Sequence, residues 1–582
     1  MAVEKLIVDH IDTWTTALQT RSTAGRGSSG KIDLYGIKKL RELILELAVR
    51  GKLVPQDPND EPASELLKRI TAEKAKLVKQ GKIKKQKPLP EISEEEKPFE
   101  LPEGWEWVRL GDLGFTQTGG TPSKSKPEYF GKDIPFIKPA NITSQGVDYQ
   151  DEGLTIQGAN ELGRLAPAGS VLMVCIGTIG KCQVVNQPCT FNQQINSVTP
   201  FIDNSEFLFL CLSSAYFQSL AWSKSSSTTI AILNKGKWES LLLPLPPLEE
   251  QLKLIKTVKK LMSLCDQLEQ HSLTSLDAHQ QLVETLLTTL TNSQNADELA
   301  ENWARISEHF DTLFTTEASI DALKQTILQL AVMGKLVPQD PHDEPASELL
   351  KRIAQEKAQL VKDGKIKKQK PLPPISDEEK PFELPIGWEW ALGDSVAEFI
   401  DPHPSHRTPP EVENGVPYIG YTDIEHNHGI NFEKARKVSP KILEEHRERY
   451  SLSEGDFVFG KIGTLGKPFF VTPPFNYCLS ANLILIQPQN GVIDHNYLAM
   501  YLDCPQLKKI LDDEKTDSTH SVFGIKKARV LPVPVPPLNE QKLIVNRVHK
   551  LFSLCTELIS SIKIIQQTQL HLADALTDAA IN

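Results

Sequence analysis

Apolar residues recur at helical spacing along two long stretches of the chain. Steps of three and four place such residues on one helix face, so each stretch is predicted to be a helix of about 40 residues, about 60 Å long. A long apolar stripe needs a partner. We expect the two helices to pair antiparallel as a coiled coil, with two separate bundles as the alternative. The apolar positions are 254, 258, 261, 264, 268, 282, 286 and 290 in Glu249–Leu290, and 544, 548, 551, 555, 558 and 562 in Asn539–Leu576.

Shorter amphipathic helices are predicted ahead of each globular segment. Gly51 and Gly334 follow these helices and are natural C-caps, because glycine tolerates the left-handed backbone there. Charged helices are predicted next, each followed by the basic run GKIKKQKPLP, which we expect to be extended and solvated. The apolar faces comprise positions 40, 43, 44 and 47 and positions 323, 327, 328, 330 and 331, and the charged helices are Glu61–Gln80 and Glu344–Asp363.

The chain repeats itself. Residues Gly51–Trp107 and Gly334–Trp390 are identical at 49 of 57 positions, at a constant offset of 283. Pro244–Leu268 recurs as Pro534–Leu558 at an offset of 290. The two segments between the paired repeats hardly match each other. A duplicated framework that holds two divergent inserts indicates two similar modules that recognise two different things.

These patterns predict a mixed α+β protein. Two α/β globular domains would be joined by long antiparallel coiled-coil helices, as a pseudo-twofold tandem duplication. The predicted boundaries are a helical lead-in at 1–100, a globular domain at 101–247, a long helix at 248–293, a central helical region at 294–383, a second globular domain at 384–537 and a second long helix at 538–582.

Short β-rich runs alternate with turns inside both globular domains, and we expect one small twisted sheet in each. Ile134–Lys138 matches Val416–Gly420. Val171–Lys181 matches Phe457–Lys467, with GTIGK in the first copy and GTLGK in the second. We interpret this pair as strand–turn–strand hairpins, whose tips could reach a DNA phosphate or be merely structural. Helices are predicted at Ser205–Ser219 and His495–Asp512.

Composition places the chain among globular proteins. Its 40% hydrophobic and 24% charged residues are ordinary for that class, and 582 residues require several domains. The start MAVEKLIVDHIDTW carries charge where a signal peptide would be apolar, and no apolar run reaches the roughly 18 residues of a membrane helix. The eight cysteines form no CxxC pair, so we expect a reduced cytoplasm and buried thiols, with Cys265 and Cys555 in the core.

The net charge of −11 argues weakly against DNA binding, because DNA-binding proteins usually present basic surface. Residues 101–247 contain ten Lys and Arg against twelve Asp and Glu. A role on DNA would therefore need locally basic loops, or a partner that supplies phosphate contacts.

Motifs for catalysis or cofactor binding are incomplete. GTIGK fails the P-loop pattern, because Cys175 stands where its first glycine is needed and Cys182 where its hydroxyl residue is needed; the second copy fails in the same way. TPPF at 472–475 is one residue away from an amino-methyltransferase motif, and no cofactor loop precedes it. DPHPSHRTPP and EHNH lack HExxH spacing and ligand cysteines, so polar loops are favoured over a metal site. Two large domains without visible catalytic chemistry point to recognition.

The motifs resemble those of type I restriction–modification specificity subunits. The resemblance covers essentially the whole chain, and its length and lead-in helices look most like the larger-subunit branch called type IB. The residues that carry it are the two PxPPLxEQ runs (Pro244–Gln251, Pro534–Gln541), the two LPxGWEW entries (Leu101–Trp107, Leu384–Trp390), the run Gly119–Ile142 and both GTxGK hairpins.

The resemblance implies a function in DNA recognition. Each insert would be a target recognition domain that reads one half of a bipartite, asymmetric site in double-stranded DNA. The repeats would form spacer helices that fix the gap and dock two modification subunits, which carry S-adenosylmethionine and methylate adenine. Two restriction subunits would add ATP- and Mg²⁺-dependent translocation and cleavage. The chain itself would hold no cofactor or metal and catalyse nothing; a coiled-coil interaction protein without DNA binding and a self-contained methyltransferase are the alternatives.

Polar side chains on the insert loops are the candidates for DNA contacts, because ammonium, guanidinium and hydroxyl donors meet phosphates and base edges. A solvated loop role is the alternative for each of them. The candidates are Thr121, Ser123, Lys124, Lys126, Lys138, Asn141, Thr178, Lys181, Thr228 and Lys235 in the first insert, and His406, Arg407, Thr408, Tyr421, Thr464, Lys467, Ser518, Thr519, His520 and Lys526 in the second.

Overall fold

A computed structural model describes most of the chain. It divides into two compact units, unit 1 with Met1–Ser275 and Ile564–Asn582, and unit 2 with Leu276–Lys563. The described residues are 3–21, 31–123, 125–226, 230–363, 373–403, 405, 407–425, 429–460, 467–513 and 524–581.

Unit 1 combines helices with short strands. Its helices are Val3–Asp9, Ile11–Thr16, Tyr35–Val49, Ala63–Lys79, Leu110–Leu113, Ile156–Leu162, Ser205–Ser213, Ala215–Lys224, Lys235–Glu239 and the start of Leu248–Asn292, with 3₁₀ turns at Glu94–Glu96, Pro127–Tyr129 and Pro139–Asn141. Its strands are Gln19–Arg21, Lys31–Asp33, Glu106–Arg109, Gly114–Thr118, Phe130–Ile137, Ile142–Thr143, Gly146–Val147, Gly153–Leu154, Leu165–Ala166, Val171–Val174, Cys182–Val184, Cys189–Phe191, Ile195–Pro200 and Leu242–Leu245.

Unit 2 repeats much of this order. Its helices are Ala296–Glu308, Phe310–Leu313, Glu317–Val332, Ala346–Lys362, Gly393–Val396, Pro440–Arg447, His495–Asp503, Pro505–Asp513, Ile525–Val530 and the start of Leu538–Ile581, with 3₁₀ turns at Asp377–Glu379 and Tyr421–Asp423. Its strands are Glu389–Leu392, Ala397–Ile400, Val416–Ile419, Ile424–Glu425, Gly429–Ile430, Arg436–Val438, Phe457–Gly460, Phe469–Phe470, Cys478–Leu479, Leu483–Pro488 and Pro532–Val535.

The two globular domains share one sheet framework. In each domain a four-stranded antiparallel sheet holds the hairpin, with Val171 paired to Val198 in the first and Phe457 to Ile486 in the second. A parallel pair follows in each, with Phe191 opposite Ile137 and Leu479 opposite Ile419. A two-stranded ribbon closes each insert by pairing its first strand with its last. The strand orders are Cys182–Val184, Val171–Val174, Ile195–Pro200, Gly114–Thr118 in the first sheet and Phe469–Phe470, Phe457–Gly460, Leu483–Pro488, Ala397–Ile400 in the second, and the ribbons are Glu106–Arg109 with Leu242–Leu245 and Glu389–Leu392 with Pro532–Val535.

Each long helix belongs to both units. Leu248–Asn292 begins in unit 1 and ends in unit 2, whereas Leu538–Ile581 begins in unit 2 and ends in unit 1. They contain 45 and 44 residues, so the prediction of two helices of about 40 residues is confirmed. Cys265 and Cys555 are buried in them, as expected. The antiparallel pairing of the two helices stays a prediction.

Matched lysines meet the end of each long helix. In unit 2, Lys335 Nζ donates to Thr291 O at 2.8 Å and to Ser293 O at 2.9 Å. In unit 1, Lys52 Nζ donates to Ile581 O at 2.6 Å. Lys52 and Lys335 occupy the same repeat position, and ammonium groups stabilise helix C-termini by meeting carbonyls that lack a helical partner.

Gly51 and Gly334 end the shorter helices as predicted. Gly51 N–H donates to Ala48 O at 3.3 Å and Lys52 N–H to Leu47 O at 2.8 Å, which is the Schellman arrangement. The same pair of bonds recurs around Gly334, at 3.3 and 2.9 Å. The left-handed backbone, with φ of +67° and +68°, explains why both positions are glycine.

The charged helices are also confirmed, at Ala63–Lys79 and Ala346–Lys362. The basic run at 81–90 has no helix or strand and is mostly exposed. Its second copy at 364–373 lies almost entirely outside the described residues. None of the helices that the structure describes is long and apolar enough to cross a membrane.

Two predictions about the inserts are wrong. The single helices expected at Ser205–Ser219 and His495–Asp512 are each broken in two. Ser214 takes an extended backbone and caps the following helix with its own hydroxyl, and Cys504 precedes a proline, which disfavours helical backbone. Each domain also holds several small sheets rather than one.

Gly51→Ala should destabilise unit 1 more than Gly81→Ala. Both glycines have left-handed backbone, which costs any other residue about 1 kcal/mol. A Cβ at Gly51 would also lie 2.3 Å from Pro102 Cγ, whereas nothing lies within 4 Å of one at Gly81. Urea unfolding should show a loss of about 1 kcal/mol for Gly81→Ala and about 2–4 kcal/mol for Gly51→Ala. Equal losses would contradict the close packing of Pro102 on Gly51.

Candidate nucleic-acid interface

Four loops of the first globular domain join into one surface. We call it the loop surface and define it as residues 119–121, 175–181, 192–194 and 230–233. Backbone hydrogen bonds between the loops fix their relative positions. The bonds run from Gly120 N–H to Phe191 O at 3.0 Å, from Cys175 N–H to Gln194 O at 2.8 Å and from Gly177 N–H to Ala231 O at 2.9 Å.

The structure brings three predicted site residues to this surface. Thr121 and Thr178 are exposed on it, and Thr121 Oγ1 donates to Gln193 Oε1 at 2.5 Å. Lys181 is also exposed, and its Nζ donates to Pro139 O at 2.9 Å. Through that bond the hairpin loop contacts the turn at 138–141.

The hairpin that carries Thr178 and Lys181 is confirmed, with Val171–Val174 antiparallel to Cys182–Val184. Gly180 has a φ of +104°, and a Cβ there would lie 1.7 Å from Gln218 Oε1. Gln218 Nε2 also donates to Gly180 O at 2.9 Å. Packing and backbone geometry therefore account for the second glycine of GTIGK. The second copy of this loop, at 461–466, lies outside the described residues.

Most of the other lysine candidates are engaged within the domain. Lys138 forms an ion pair with Glu152, and Lys235 forms one with Glu239 at 2.9 Å. Lys126 lies over the ring of Tyr129 and donates to its hydroxyl at 2.8 Å. Among the described ion pairs of this domain none includes Lys181, whose charge is therefore available to a phosphate.

The remaining candidates of the first insert lie in different settings. Asn141 is buried; its Oδ1 accepts from Lys138 N–H at 2.9 Å and its Nδ2 donates to Asp151 at 3.2 Å. Asn141 thus shapes the turn beside Lys181. Ser123 is exposed and shares a hydrogen bond with Ser125 at 2.8 Å. Lys124 and Thr228 lie outside the described residues.

The second globular domain joins the same two loops through different residues. Tyr421 begins the turn that corresponds to Pro139–Asn141, and the backbone of Lys467 hydrogen-bonds its side chain. Burial raises the pKa of Tyr421. Arg407, Thr408 and Lys526 are exposed. Predicted residues outside the described part of this domain are His406, Thr464, Ser518, Thr519 and His520.

Two glutamines of the loop surface escaped sequence reasoning. Gln193 and Gln194 form the turn between the strands Cys189–Phe191 and Ile195–Pro200. The signal was the polar run NQQ between apolar strands. Gln193 accepts a hydrogen bond from Thr121, and glutamine amides can contact adenine edges.

Histidines of the second domain form a buried hydrogen-bonded chain. His403 Nδ1 lies 3.0 Å from His446 Nε2, and the Tyr450 hydroxyl lies 2.9 Å from His446 Nδ1. Burial lowers the pKa of His446 to about 4. His403 lies in a loop, as expected, but its side chain is buried, at 8% exposed. His426 and His428 lie outside the described residues, and no group of three His, Cys, Asp or Glu among those described could hold a metal.

The family model described as the type I restriction modification DNA specificity domain matches residues 102–278 and 398–567. The chain belongs to this family. The specificity subunit of the type I restriction enzyme EcoAI, from Escherichia coli, is 51% identical over 100% of both chains. That of EcoEI, from the same species, is 48% identical, again over 100% of both chains.

Among solved structures, a chain of a type I restriction–modification system covers 83% of this chain and 99% of its own length. Its TM-score is 0.46 at 17% identity. The specificity-family model matches twice, and its two matches fall mainly on the two globular domains that carry the divergent loops.

His446→Gln should flatten the pH dependence of unit 2 stability. The unfolded chain protonates His446 near pH 6.5, whereas the folded chain resists protonation until about pH 4. Stability from this group is therefore full above pH 6.5 and is lost as the pH falls toward 4, by roughly 2–3 kcal/mol. The free energy of unfolding of both proteins is measured in urea between about pH 4.5 and about pH 7.5, a range that covers the charged and the neutral form of histidine. Parallel curves would contradict a neutral, buried His446.

Proposed function

We propose that this chain is the DNA specificity subunit of a cytoplasmic type I restriction–modification complex. Each globular domain is a target recognition domain for one part of a two-part, asymmetric site in double-stranded DNA. The long helices fix the gap between the parts and dock two modification subunits, which bring S-adenosylmethionine and methylate adenine. Two restriction subunits add translocation and cleavage that need ATP and Mg²⁺. The chain itself catalyses nothing.

The observation that carries this proposal is one strand framework with two different sets of loops. The four-stranded sheet and the parallel pair recur in the same order in both domains. The loops on them differ, with Lys181 against Pro139 in one domain and Lys467 against Tyr421 in the other. Loops on a rigid scaffold are where binding residues usually lie. Two loop sets on one scaffold suit a DNA target whose two parts differ.

The charge of the chain supports a division of the DNA phosphate contacts between this chain and its partner subunits. The chain carries a net charge of −11, and most of the described lysine candidates of the first globular domain are engaged internally. Lys181 offers a charge that no described ion pair neutralises. The remaining phosphate contacts would then come from the modification subunits, which fits a chain that selects the site while its partners supply affinity.

The two relatives that match over their full length support the same assignment. Both are specificity subunits of type I restriction enzymes, at 51% and 48% identity. Adenine methylation inside a duplex requires the base to be flipped out, so a separate subunit that positions DNA serves a catalytic partner. The alternative, a coiled-coil scaffold without DNA binding, leaves the two divergent loop sets without a role.

Lys181→Gln should weaken duplex DNA binding by the complex of this chain with its methyltransferase partner, and should reduce its salt dependence. Loss of one phosphate contact lowers the slope of log affinity against log salt by about 0.9. Gel-shift titrations of the assembled complex at several salt concentrations measure the slope, with random-sequence duplex DNA as the ligand.

Lys138→Gln is the matched control for this experiment. Lys138 lies in the turn that Lys181 contacts, but Glu152 already neutralises its charge. In the Lys138→Gln variant, the slope of log affinity against log salt should change less than in Lys181→Gln. Equal slopes for wild type and Lys181→Gln would remove Lys181 from the interface, and a wild-type complex that leaves DNA mobility unchanged would favour the scaffold without DNA binding.

A further inference from the structure

Each unit contains a buried carboxylate at the first turn of a long helix. Glu250 lies in the first turn of Leu248–Asn292, and Glu540 lies in the first turn of Leu538–Ile581. Both are 1% exposed. Charged residues are rarely buried so fully unless other groups satisfy them, so the partners of these two carboxylates define their role.

The partners come from the same distant repeat positions in both units. Trp105 Nε1 donates to Glu250 Oε2 at 2.9 Å, and Gln56 Nε2 donates to Glu250 Oε1 at 3.1 Å. In unit 2, Trp388 and Gln339 make the same two bonds to Glu540, at 2.9 and 3.0 Å. We call each three-residue set a junction.

A junction ties three parts of its unit together. Its glutamine lies in the helical region that precedes the globular domain, its tryptophan lies at the entry to that domain, and its glutamate lies in the first turn of the long helix. Both carboxylate oxygens are used, each by a different part. The junction therefore fixes the position of the globular domain relative to the helix on which it sits.

The glutamine cannot exchange its donor for an acceptor. Gln56 Nε2 also lies 2.7 Å from Gly51 O and 3.2 Å from Val54 O, so its two hydrogens serve three acceptors. A flipped amide would set its oxygen against both carbonyls. Gln339 is held in the same way by Gly334 O at 2.7 Å and Val337 O at 3.3 Å. Residue 250 or 540 must therefore accept a hydrogen bond at both terminal atoms of its side chain. A glutamate has two acceptor oxygens there, whereas a glutamine has one oxygen and one donor nitrogen.

Burial of these carboxylates has a cost. It raises the pKa of both Glu250 and Glu540 above the usual range for a carboxyl group. Apolar residues of similar volume often replace buried charges without loss of stability, and sometimes with a gain. Buried polar groups can instead serve to specify one geometry among several. Recurrence of the same three residues in both units favours a geometric role.

We propose that Glu250 and Glu540 are positioning residues that hold each recognition domain at one angle on its long helix, and thereby set the gap between the two parts of the DNA target. The proposal rests on the function proposed above. Adding one base pair to the gap moves one half-site by about 3.4 Å and rotates it by about 35° around the DNA axis. A domain fixed on its helix rejects such a shift, whereas a domain free to turn accepts it.

Glu250→Gln tests this in the full chain assembled with its methyltransferase partner. Sequencing of methylated adenines in host DNA first defines the wild-type target. Methylation rates are then measured on duplexes with the native gap and with gaps one base pair longer or shorter. The ratio of the methylation rate at the native gap to the rate at a changed gap should fall about tenfold, the factor that corresponds to the loss of one hydrogen bond to a charged group. The sequence preference within each half-site should stay unchanged.

Three further variants complete the test. Glu540→Gln should act like Glu250→Gln. Lys253→Met removes an exposed ion pair with Asp60 (3.1 Å) one turn along the same helix, and should leave gap discrimination unchanged. Trp105→Phe keeps an aromatic ring, although a smaller one, and removes the Nε1 donor without changing Glu250, so it serves if Glu250→Gln fails to assemble.

The outcomes separate the inference from the proposed function. Relaxed gap discrimination with intact half-site preference supports positioning. Wild-type gap discrimination in the glutamine variants, an equal loss of rate at every gap, or failure of both Glu250→Gln and Trp105→Phe to assemble would overturn it in favour of a purely structural role. If the wild-type complex methylates no two-part site, the proposed function itself fails, whatever the variants do.

Discussion

A carboxylate buried at the first turn of each long helix organises this molecule. Glu250 and Glu540 each accept one hydrogen bond from a tryptophan and one from a glutamine, and these partners stand 145 to 201 positions away. The bonds connect the lead-in, the globular domain and the long helix of one unit.

The junctions explain which parts of the sequence are repeated. GKLVPQDP supplies the glutamine, LPxGWEW supplies the tryptophan and PxPPLxEQ supplies the glutamate. Gly51 and Gly334 belong to the same arrangement, since a Cβ there would strike Pro102 or Pro385. Packing therefore accounts for the recurrence of these junction residues and of the glycine beside them. The inserts lie outside this arrangement, and their loops are free to differ while the strands that carry them stay the same.

Elements that depend on local residue spacing could be predicted from the sequence, whereas features that depend on tertiary contacts could not. The apolar steps in Glu249–Leu290 depend on local spacing alone, and they predicted the long helices correctly. The break at Cys504 had a local signal in Pro505, but the break at Ser214 depends on a cap that its own hydroxyl makes. The pairing of Lys235 with Glu239, four residues apart on a short helix, was also visible in the sequence.

The loop surface and the junctions could not be predicted in this way. Thr121 meets Gln193 across 72 positions, and Glu250 meets Gln56 across 194. Sequence spacing carries no information about such contacts. Asn141 looked like a DNA contact because it is polar and lies in a loop, yet its amide is buried in the turn that it shapes. Burial separates the polar residues that build the loops from those that stay exposed on them.

The central claim is that one framework carries two independent recognition domains, and exchange of inserts tests it most directly. A chain in which Val108–Leu243 is replaced by a second copy of Ala391–Val533 keeps both junctions and both ribbons in register. Sequencing of methylated adenines in a host that carries this chain and its partners reads the target. The account predicts that the asymmetric wild-type target becomes an inverted repeat of one part, because protein and site symmetry then match. A target that stayed asymmetric, or identical to that of the wild type, would contradict it.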